Sequence, residues 1–72
     1  MMDCAIQMLD VVALLRDRPD LGLLAGQVGT VVETLDSAIF EVEFSDEQGH
    51  TYANVALKEA ELIVLRYNPV AA

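Results

Sequence analysis

The sequence predicts a small all-β protein, and three features of the chain lead to this prediction. Its 72 residues leave room for one domain with one core. Apolar segments of strand length alternate with clusters of Gly, Pro, Asn, Asp and Ser. In the clearest segment, F-E-V-E-F at residues 40–44, apolar side chains alternate with glutamates, as in an antiparallel strand with one buried and one solvated face. We therefore expect five short strands.

The predicted elements follow in order along the chain. Residues 8–15 form an apolar run that Asp17 and Pro19 end early, which favours a strand over a helix. Residues 16–25 form a long loop whose leucines are too apolar for a free loop, so we expect them to fold back over the end of a barrel. The second strand covers residues 27–34. The remaining elements are a turn (35–38), a third strand (39–45), a hairpin loop (46–49), a fourth strand (51–57), one helical turn (58–61) and a last strand (62–67).

This order of elements is that of a small SH3-like barrel, which has five strands, a long first loop and one helical turn before the last strand. Bending such a sheet into a barrel leaves few unpaired strand edges. We predict that the barrel covers residues 8–67. A flexible N-terminal lead-in (1–7) precedes it, and a C-terminal tail (68–72) follows it.

The stretch GQVGTVVE, residues 26–33, raises the question of a phosphate-binding loop. Such loops have a lysine or a helix directly after the glycines, whereas a valine-rich strand follows here. We therefore predict structural roles: Gly26 takes a positive φ at the entry to the strand, and Gly29 allows a sharp bend or a close backbone approach. Gly49 is expected to supply a positive φ in the hairpin loop.

The formal net charge of −8, from 12 acidic and 4 basic residues, limits the choice of partners. Nucleic acids and anionic membranes are both disfavoured, because their binding depends on cationic contacts with phosphate. No apolar run reaches the roughly 18 residues of a spanning helix. Cys4 has no cysteine partner and no signal-peptide pattern opens the chain, which indicates a cytoplasmic protein. A protein partner or self-association is favoured, since a core of this size supplies only about 3–5 kcal/mol.

No combination of residues indicates an enzyme, a cofactor or a metal ion. Cys4 lies in the predicted lead-in and His50 beside the hairpin loop, so no spacing brings a nucleophile to a base. Two soft ligands are too few for a structural zinc site. Glu41 and Glu43 share a strand face, which is the ordinary result of alternation. We predict no catalytic residue, no cofactor and no metal site.

Four segments, read in order, carry a resemblance to a known family. They are L-D-V-V-A-L-L (9–15), G-x-V-G-T-V-V-E (26–33), F-E-V-E-F (40–44) and L-K-E-A-E-L (57–62). The second is similar to the glycine-centred strand of KOW-type and other SH3-like barrels. Together the four resemble a bacterial family of short, stand-alone proteins described only as a domain of unknown function. The resemblance covers about residues 8–65 and implies an SH3-like barrel, with no activity and no catalytic residue.

These observations favour a small acidic protein–protein interaction module without catalytic activity. Its partner is predicted to be a protein that it regulates or neutralises, in the manner of an antitoxin or immunity protein, or a second copy of itself. The candidate interface residues are Tyr52, which alternation places outside the core, and the acidic Glu41 and Glu43. The alternative is a KOW-like nucleic-acid-binding module, which requires the basic residues to cluster on one face. These residues are Arg16, Arg18, Lys58 and Arg66.

Overall fold

The computed structural model describes residues 6–66, which form one antiparallel sheet of five strands. The strands are β1 (Val11–Leu14), β2 (Val28–Asp36), β3 (Ile39–Ser45), β4 (Thr51–Lys58) and β5 (Leu62–Val64). They pair in the order β4-β3-β2-β1-β5, so β5 returns to the outer edge of β1. One 3₁₀ turn, Pro19–Leu21, lies in the long first loop, and a second, Glu59–Glu61, precedes β5. The structure confirms the predicted fold class: an all-β, barrel-like fold of five strands, with a long first loop and one helical turn before the last strand. No helix within residues 6–66 has the length and apolar character needed to cross a membrane.

Three strand ends differ from the prediction by two or three residues, and three others differ by one. β2 continues to Asp36, so the predicted turn at 35–38 shrinks to its last two residues. β1 begins only at Val11, because residues 7–10 form a turn of their own. β5 ends at Val64. Hydrophobic pattern alone does not determine these ends, since each depends on backbone pairing with another strand.

The predicted lead-in, residues 1–7, overlaps the folded part of the chain. Ile6 is only 7% exposed and belongs to the core. The folded part therefore begins before residue 8. Residues 1–5 and 67–72, which include the predicted tail and the end of the predicted last strand, lie outside the described residues.

The apolar side chains that alternate along the strands meet in one core. Phe40, Val42 and Phe44 of β3 are at most 1% exposed, whereas the intervening Glu41 and Glu43 lie on the other face. Burying each large apolar side chain of this kind contributes about 1.5–3 kcal/mol. The core cluster consists of Ile6, Val12, Leu14, Leu23, Val31, Phe40, Val42, Phe44, Leu57 and Leu62.

β-Bulges bend the sheet at several points. Two interrupt the pairing of β2 with β3, one between Val31 and Glu33 and one between Thr34 and Asp36. A third interrupts the pairing of β3 with β4, directly after Phe44. Because a bulge adds one residue to one strand only, it increases the local twist and the curvature of the sheet. A sheet of this size needs such bends in order to enclose a core.

Gly26 and Gly29 both serve the backbone of the sheet. A Cβ atom at Gly29 would lie 2.7 Å from a methyl carbon of Val42 and 2.8 Å from the carbonyl oxygen of the next residue. Gly26 has a φ of +92° in a turn that the Gln27 amide closes by donating to the Leu24 carbonyl. The amides of Gly26 and Gln27 thus donate to backbone carbonyls, and a strand begins at residue 28. Neither amide is available to a phosphate group.

The leucines of the first loop divide between the core and the surface. Leu23 is 1% exposed and Leu21 packs against the core, as predicted. Leu24, also predicted to fold back over the barrel, is instead 61% exposed. The two hydrogen bonds between Arg18 and Leu23 fix the end of the loop and leave Leu24 on the outer side.

Candidate interaction surface

Acidic side chains dominate one part of the fold. Residues 28–57 form β2, β3 and all but the last residue of β4, and this segment contains no Lys or Arg. Its six carboxylates lie on β2, on β3 and in the hairpin loop, and no basic side chain of the same segment balances them, so the segment has a formal net charge of −6 with His50 neutral. They belong to Glu33, Asp36, Glu41, Glu43, Asp46 and Glu47.

The basic residues lie instead around the helical turn Glu59–Glu61. Lys58 precedes this turn, Arg18 hydrogen-bonds to it, and Arg66 lines a surface cavity beside it. Arg16 follows a residue whose amide donates a hydrogen bond to the turn. Carboxylates are as numerous as cations here, so the formal charge of this end is balanced. The carboxylates belong to Asp17, Asp20, Glu59 and Glu61.

Three carboxylates form what we call the acidic patch: Glu33, Glu41 and Glu43. Glu33 of β2 lies directly opposite Glu41 of β3, and Glu43 is two residues further along the same face. Like charges that face each other across a ladder destabilise the sheet. Glu43 accepts a hydrogen bond of 2.8 Å from the Thr51 hydroxyl. Glu33 is exposed and Glu41 and Glu43 are half-buried, so the patch lies at the surface. Within residues 6–66, no three His, Cys, Asp or Glu side chains converge closely enough to hold a metal ion.

Tyr52, the third predicted interface residue, lies apart from the acidic patch. It is the extra residue of the bulge between β3 and β4. Its ring centroid is 6.3 Å from that of Phe44. Phe44 points to the core, whereas Glu43 points to the opposite face, so the Tyr52 ring lies at the margin of the core. The structure thus brings Glu41 and Glu43 together and separates Tyr52 from them.

Gln27 connects Tyr52 to the first loop. Its Nε2 donates to the Tyr52 hydroxyl at 3.1 Å, and its Oε1 accepts from the Leu24 amide at 2.6 Å. Leu24 and Tyr52 are 61% and 47% exposed, so a polar bridge joins two exposed apolar side chains. Sequence reasoning missed this role because the two partners of Gln27 lie on different elements, one of them 25 residues away.

Gly49 and His50 both lie in the hairpin loop between β3 and β4, where Asp46 holds the backbone in place. Asp46 Oδ1 accepts hydrogen bonds of 2.9 Å from the amides of Gln48 and His50. Gly49 has a φ of +85°, which a glycine adopts without strain. His50 is exposed, and its Nδ1 lies 3.5 Å from Asp46 Oδ2. These contacts give the loop a structural role. The other residue considered as part of a nucleophile–base pair, Cys4, lies outside the described residues.

Arg18 links the first loop to the turn before β5. It donates to Glu61 Oε2 at 2.5 Å and to Asp20 Oδ2 at 3.0 Å. Partial burial alone would raise the pKa of Glu61. Hydrogen bonds from the Lys58 amide and from Arg18 lower this pKa by more than burial raises it, so it lies below its usual range. The hydrogen bond from Arg18 also lowers the pKa of Asp20. Both carboxylates are therefore ionised partners of Arg18 at neutral pH.

We expect the contact between Arg18 and Glu61 to make stability depend on pH in the acid range. A carboxyl group whose pKa is lowered by folding stabilises the fold above its unfolded pKa, about 4.3 for Glu. This contribution is lost as the pH falls through the folded value. Thermal unfolding between about pH 7 and about pH 2 measures the effect. Glu61→Gln should lower Tm at neutral pH and approach the wild type at the acid end.

The matched control is Glu47→Gln, a change of the same type on the exposed hairpin loop. We expect this variant to keep the wild-type dependence of Tm on pH. A Glu61→Gln profile that coincides with the wild type at every pH would show that the link contributes nothing to stability.

A family model described as Domain of unknown function (DUF4926) matches residues 8–64. The match includes all five strands, the acidic patch and the turn before β5. The chain has no significant match among curated proteins or solved structures. The match accordingly shows that residues 8–64 form a domain of this family, and the family description assigns no activity to it.

Proposed function

The chain belongs to the DUF4926 family, a domain of unknown function, and from this premise we propose that it acts as an acidic protein–protein interaction module. In this proposal it is a bacterial, cytoplasmic SH3-like barrel without catalytic activity. Its partner is a protein with a basic surface, which it regulates or neutralises as an antitoxin or immunity protein does. The proposal assigns the contact to the part of the sheet that contains the acidic patch.

The separation of charge carries this proposal. Residues 28–57 contain six carboxylates and no Lys or Arg, whereas the end around Glu59–Glu61 is balanced. An uncompensated field of one sign attracts a partner of the opposite sign and speeds their encounter. Glu33 and Glu41 face each other at a cost to the free protein, and a cation from a partner placed between them would remove that cost.

Self-association through the acidic patch is the weaker form of the proposal. A symmetric dimer places the same surface on both sides of the interface, so the carboxylates of Glu33, Glu41 and Glu43 would face their own copies. Like charges brought together in this way oppose binding. The exposed side chains of Leu24 and Tyr52, which lie apart from the patch, remain the surface on which two copies can meet.

The test is affinity capture from the cell of origin, followed by binding kinetics with the purified partner. Glu41→Gln is expected to slow association at least threefold and to reduce its dependence on salt, because it removes part of the steering field. The same variant should unfold no more easily than the wild type, since it also removes the repulsion from Glu33. Glu59→Gln, a half-buried carboxylate of the balanced end, is the matched control.

Two results would contradict the proposal. One is a strictly monomeric sedimentation profile together with no stable partner in the capture. The other is a partner whose association responds equally to Glu41→Gln and Glu59→Gln.

A KOW-like nucleic-acid-binding module is the second candidate. The observation in its favour is that the four basic residues do lie around one end of the fold, near Glu59–Glu61. Against it, four carboxylates share that end, and Arg18 is already bonded to two of them. Titration of single-stranded RNA and duplex DNA at low salt separates the candidates, since saturable binding there would favour the second.

A further inference from the structure

One backbone arrangement occurs twice in the fold, at residues 24–27 and at residues 7–10. The Gln27 amide donates to the Leu24 carbonyl at 3.2 Å, and the Gln27 side chain accepts from the Leu24 amide. The Gly26 amide donates to the Leu14 carbonyl, and the Leu14 amide donates to the Gln27 carbonyl. This is a turn that continues into a G1 bulge, whose first residue has a positive φ and is usually glycine. Here that residue is Gly26, with a φ of +92°.

Residues 7–10 repeat this arrangement bond for bond. The Asp10 amide donates to the Gln7 carbonyl at 3.1 Å, and Asp10 Oδ2 accepts from the Gln7 amide at 2.8 Å. The Leu9 amide donates to the Val31 carbonyl, and the Val31 amide donates to the Asp10 carbonyl. Leu9, with a φ of +72°, thus occupies the position that Gly26 occupies in the other turn.

Leucine at this position is unfavourable for the backbone and does little for the core. Within residues 6–66, Leu9 alone among non-glycine residues has a positive φ. It is 72% exposed, and its neighbour Met8 is 56% exposed. Gly26 shows that this chain uses glycine where the same geometry recurs. Local strain of this kind is concentrated at functional sites, so the exposed leucine points to a contact outside the chain.

We propose that Met8 and Leu9 form an apolar anchor that inserts into a pocket on a partner protein, and that Lys and Arg residues surround this pocket. This inference rests on the interaction role proposed above and specifies its contact. Met is enriched in the buried centres of interfaces, and such centres are surrounded by polar groups. The anchor supplies the apolar centre, and the acidic patch supplies the surrounding charge.

The backbone pairing supports basic surroundings for the pocket. Leu9 is bonded to Val31 of β2, and Glu33 of the acidic patch follows two residues later on the same strand. Glu41 lies opposite Glu33. A partner that receives Leu9 thus meets a segment without Lys or Arg. A second copy of this chain does not fit, because a symmetric contact would bring acidic patch against acidic patch.

The first step of the test places a photo-cross-linking amino acid at Met8, at Tyr52 or at Ala25 in cells that produce the protein. Ala25 is the matched control because it is exposed and occupies the same position in its turn as Met8. The cross-linked protein is identified by mass spectrometry and then purified. Its affinity for the wild type, Leu9→Asn, Leu9→Gly and Leu24→Asn is measured by calorimetry at two salt concentrations.

We expect the adduct from position 8 to dominate and the cross-linked surface to be rich in Lys and Arg. Leu9→Asn should weaken binding about 30-fold, the effect of an interface hot spot, and Leu24→Asn less than twofold. Tm should be unchanged or higher in both Leu9 variants, since Asn and Gly tolerate a positive φ. This combination separates a lost contact from a damaged fold.

Other outcomes overturn the inference in distinguishable ways. An adduct from position 52 but not from position 8 would leave the interaction role intact and place the contact elsewhere. Equal adducts from Met8 and Ala25, an acidic cross-linked surface, or unchanged affinity of Leu9→Asn would each reject the anchor. No adduct from any of the three positions would reject the anchor, and the affinity capture described above then decides separately whether the interaction role stands.

Discussion

Replacing Gly29 by valine is expected to give a chain that does not fold. A Cβ at this position would lie 2.7 Å from Val42 Cγ1, 2.8 Å from the Glu43 carbonyl oxygen and 3.0 Å from Phe44 Cδ2. Overpacking costs about 1–3 kcal/mol where neighbours can move, but here one neighbour is the backbone of the paired strand. We therefore expect a cost above that range, comparable to the roughly 3–5 kcal/mol that a core of this size supplies. Far-UV circular dichroism and the dispersion of amide proton signals measure the loss.

Gly26→Ala is the matched control in the same stretch. No atom lies within 4 Å of a Cβ built at Gly26, so the only penalty comes from its φ of +92°. That penalty is about 1–2 kcal/mol, and we expect a folded protein with a lower Tm. A folded Gly29→Val variant with wild-type stability would show that the strands do not approach as closely as the structure indicates. If such a folded variant had also lost the ability to bind phosphate, the two glycines would serve anion binding and not the shape of the sheet.

The alternation in β3 is the part of the fold that the sequence predicts best. Phe40, Val42 and Phe44 are apolar on the face that becomes the core, and the strand ends at the polar Ser45, directly before Asp46. A half-buried strand must show this period of two, because successive side chains point to opposite faces. The end of β2 is less predictable. Leu35 is exposed and gives no hydrophobic signal, and β2 continues to Asp36 only because this end of the strand pairs with β3.

The candidate site was only partly predictable for a related reason. Glu41 and Glu43 follow from alternation, but their opposition to Glu33 depends on the register between β2 and β3. Gln27 has no local signal, because its partners come from two different elements. Leu9 could not be identified either. Nothing in a sequence marks a leucine that occupies a glycine position until the backbone bonds around it are known.

Replacing Phe44 by alanine is expected to leave the protein largely unfolded at 25 °C. The side chain is fully buried, and its partners in the two neighbouring strands are Gly29 and Ala53. Neither is large enough to fill the space that the ring leaves, so the cavity cannot collapse from within the ladder. Phe→Ala changes in cores cost about 3–5 kcal/mol, and poor collapse places this site at the upper end. The loss is then comparable to the whole stability expected for a core of this size.

Urea unfolding of Phe44→Ala and Phe44→Leu separates cavity formation from loss of the strand. Phe44→Leu keeps most of the apolar volume, so it should remain folded, with a lower midpoint and an unchanged dependence on urea. Phe44→Leu should not rescue Gly29→Ala, because the contacts of the new Cβ with Val42 and with the Glu43 carbonyl remain. A fully folded Phe44→Ala protein would mean that Tyr52, whose ring centroid is 6.3 Å from that of Phe44, moves into the vacated space. In a Tyr67→Phe background, where Tyr52 is the one tyrosine left, a tyrosine fluorescence spectrum that changes only in that variant would identify the movement.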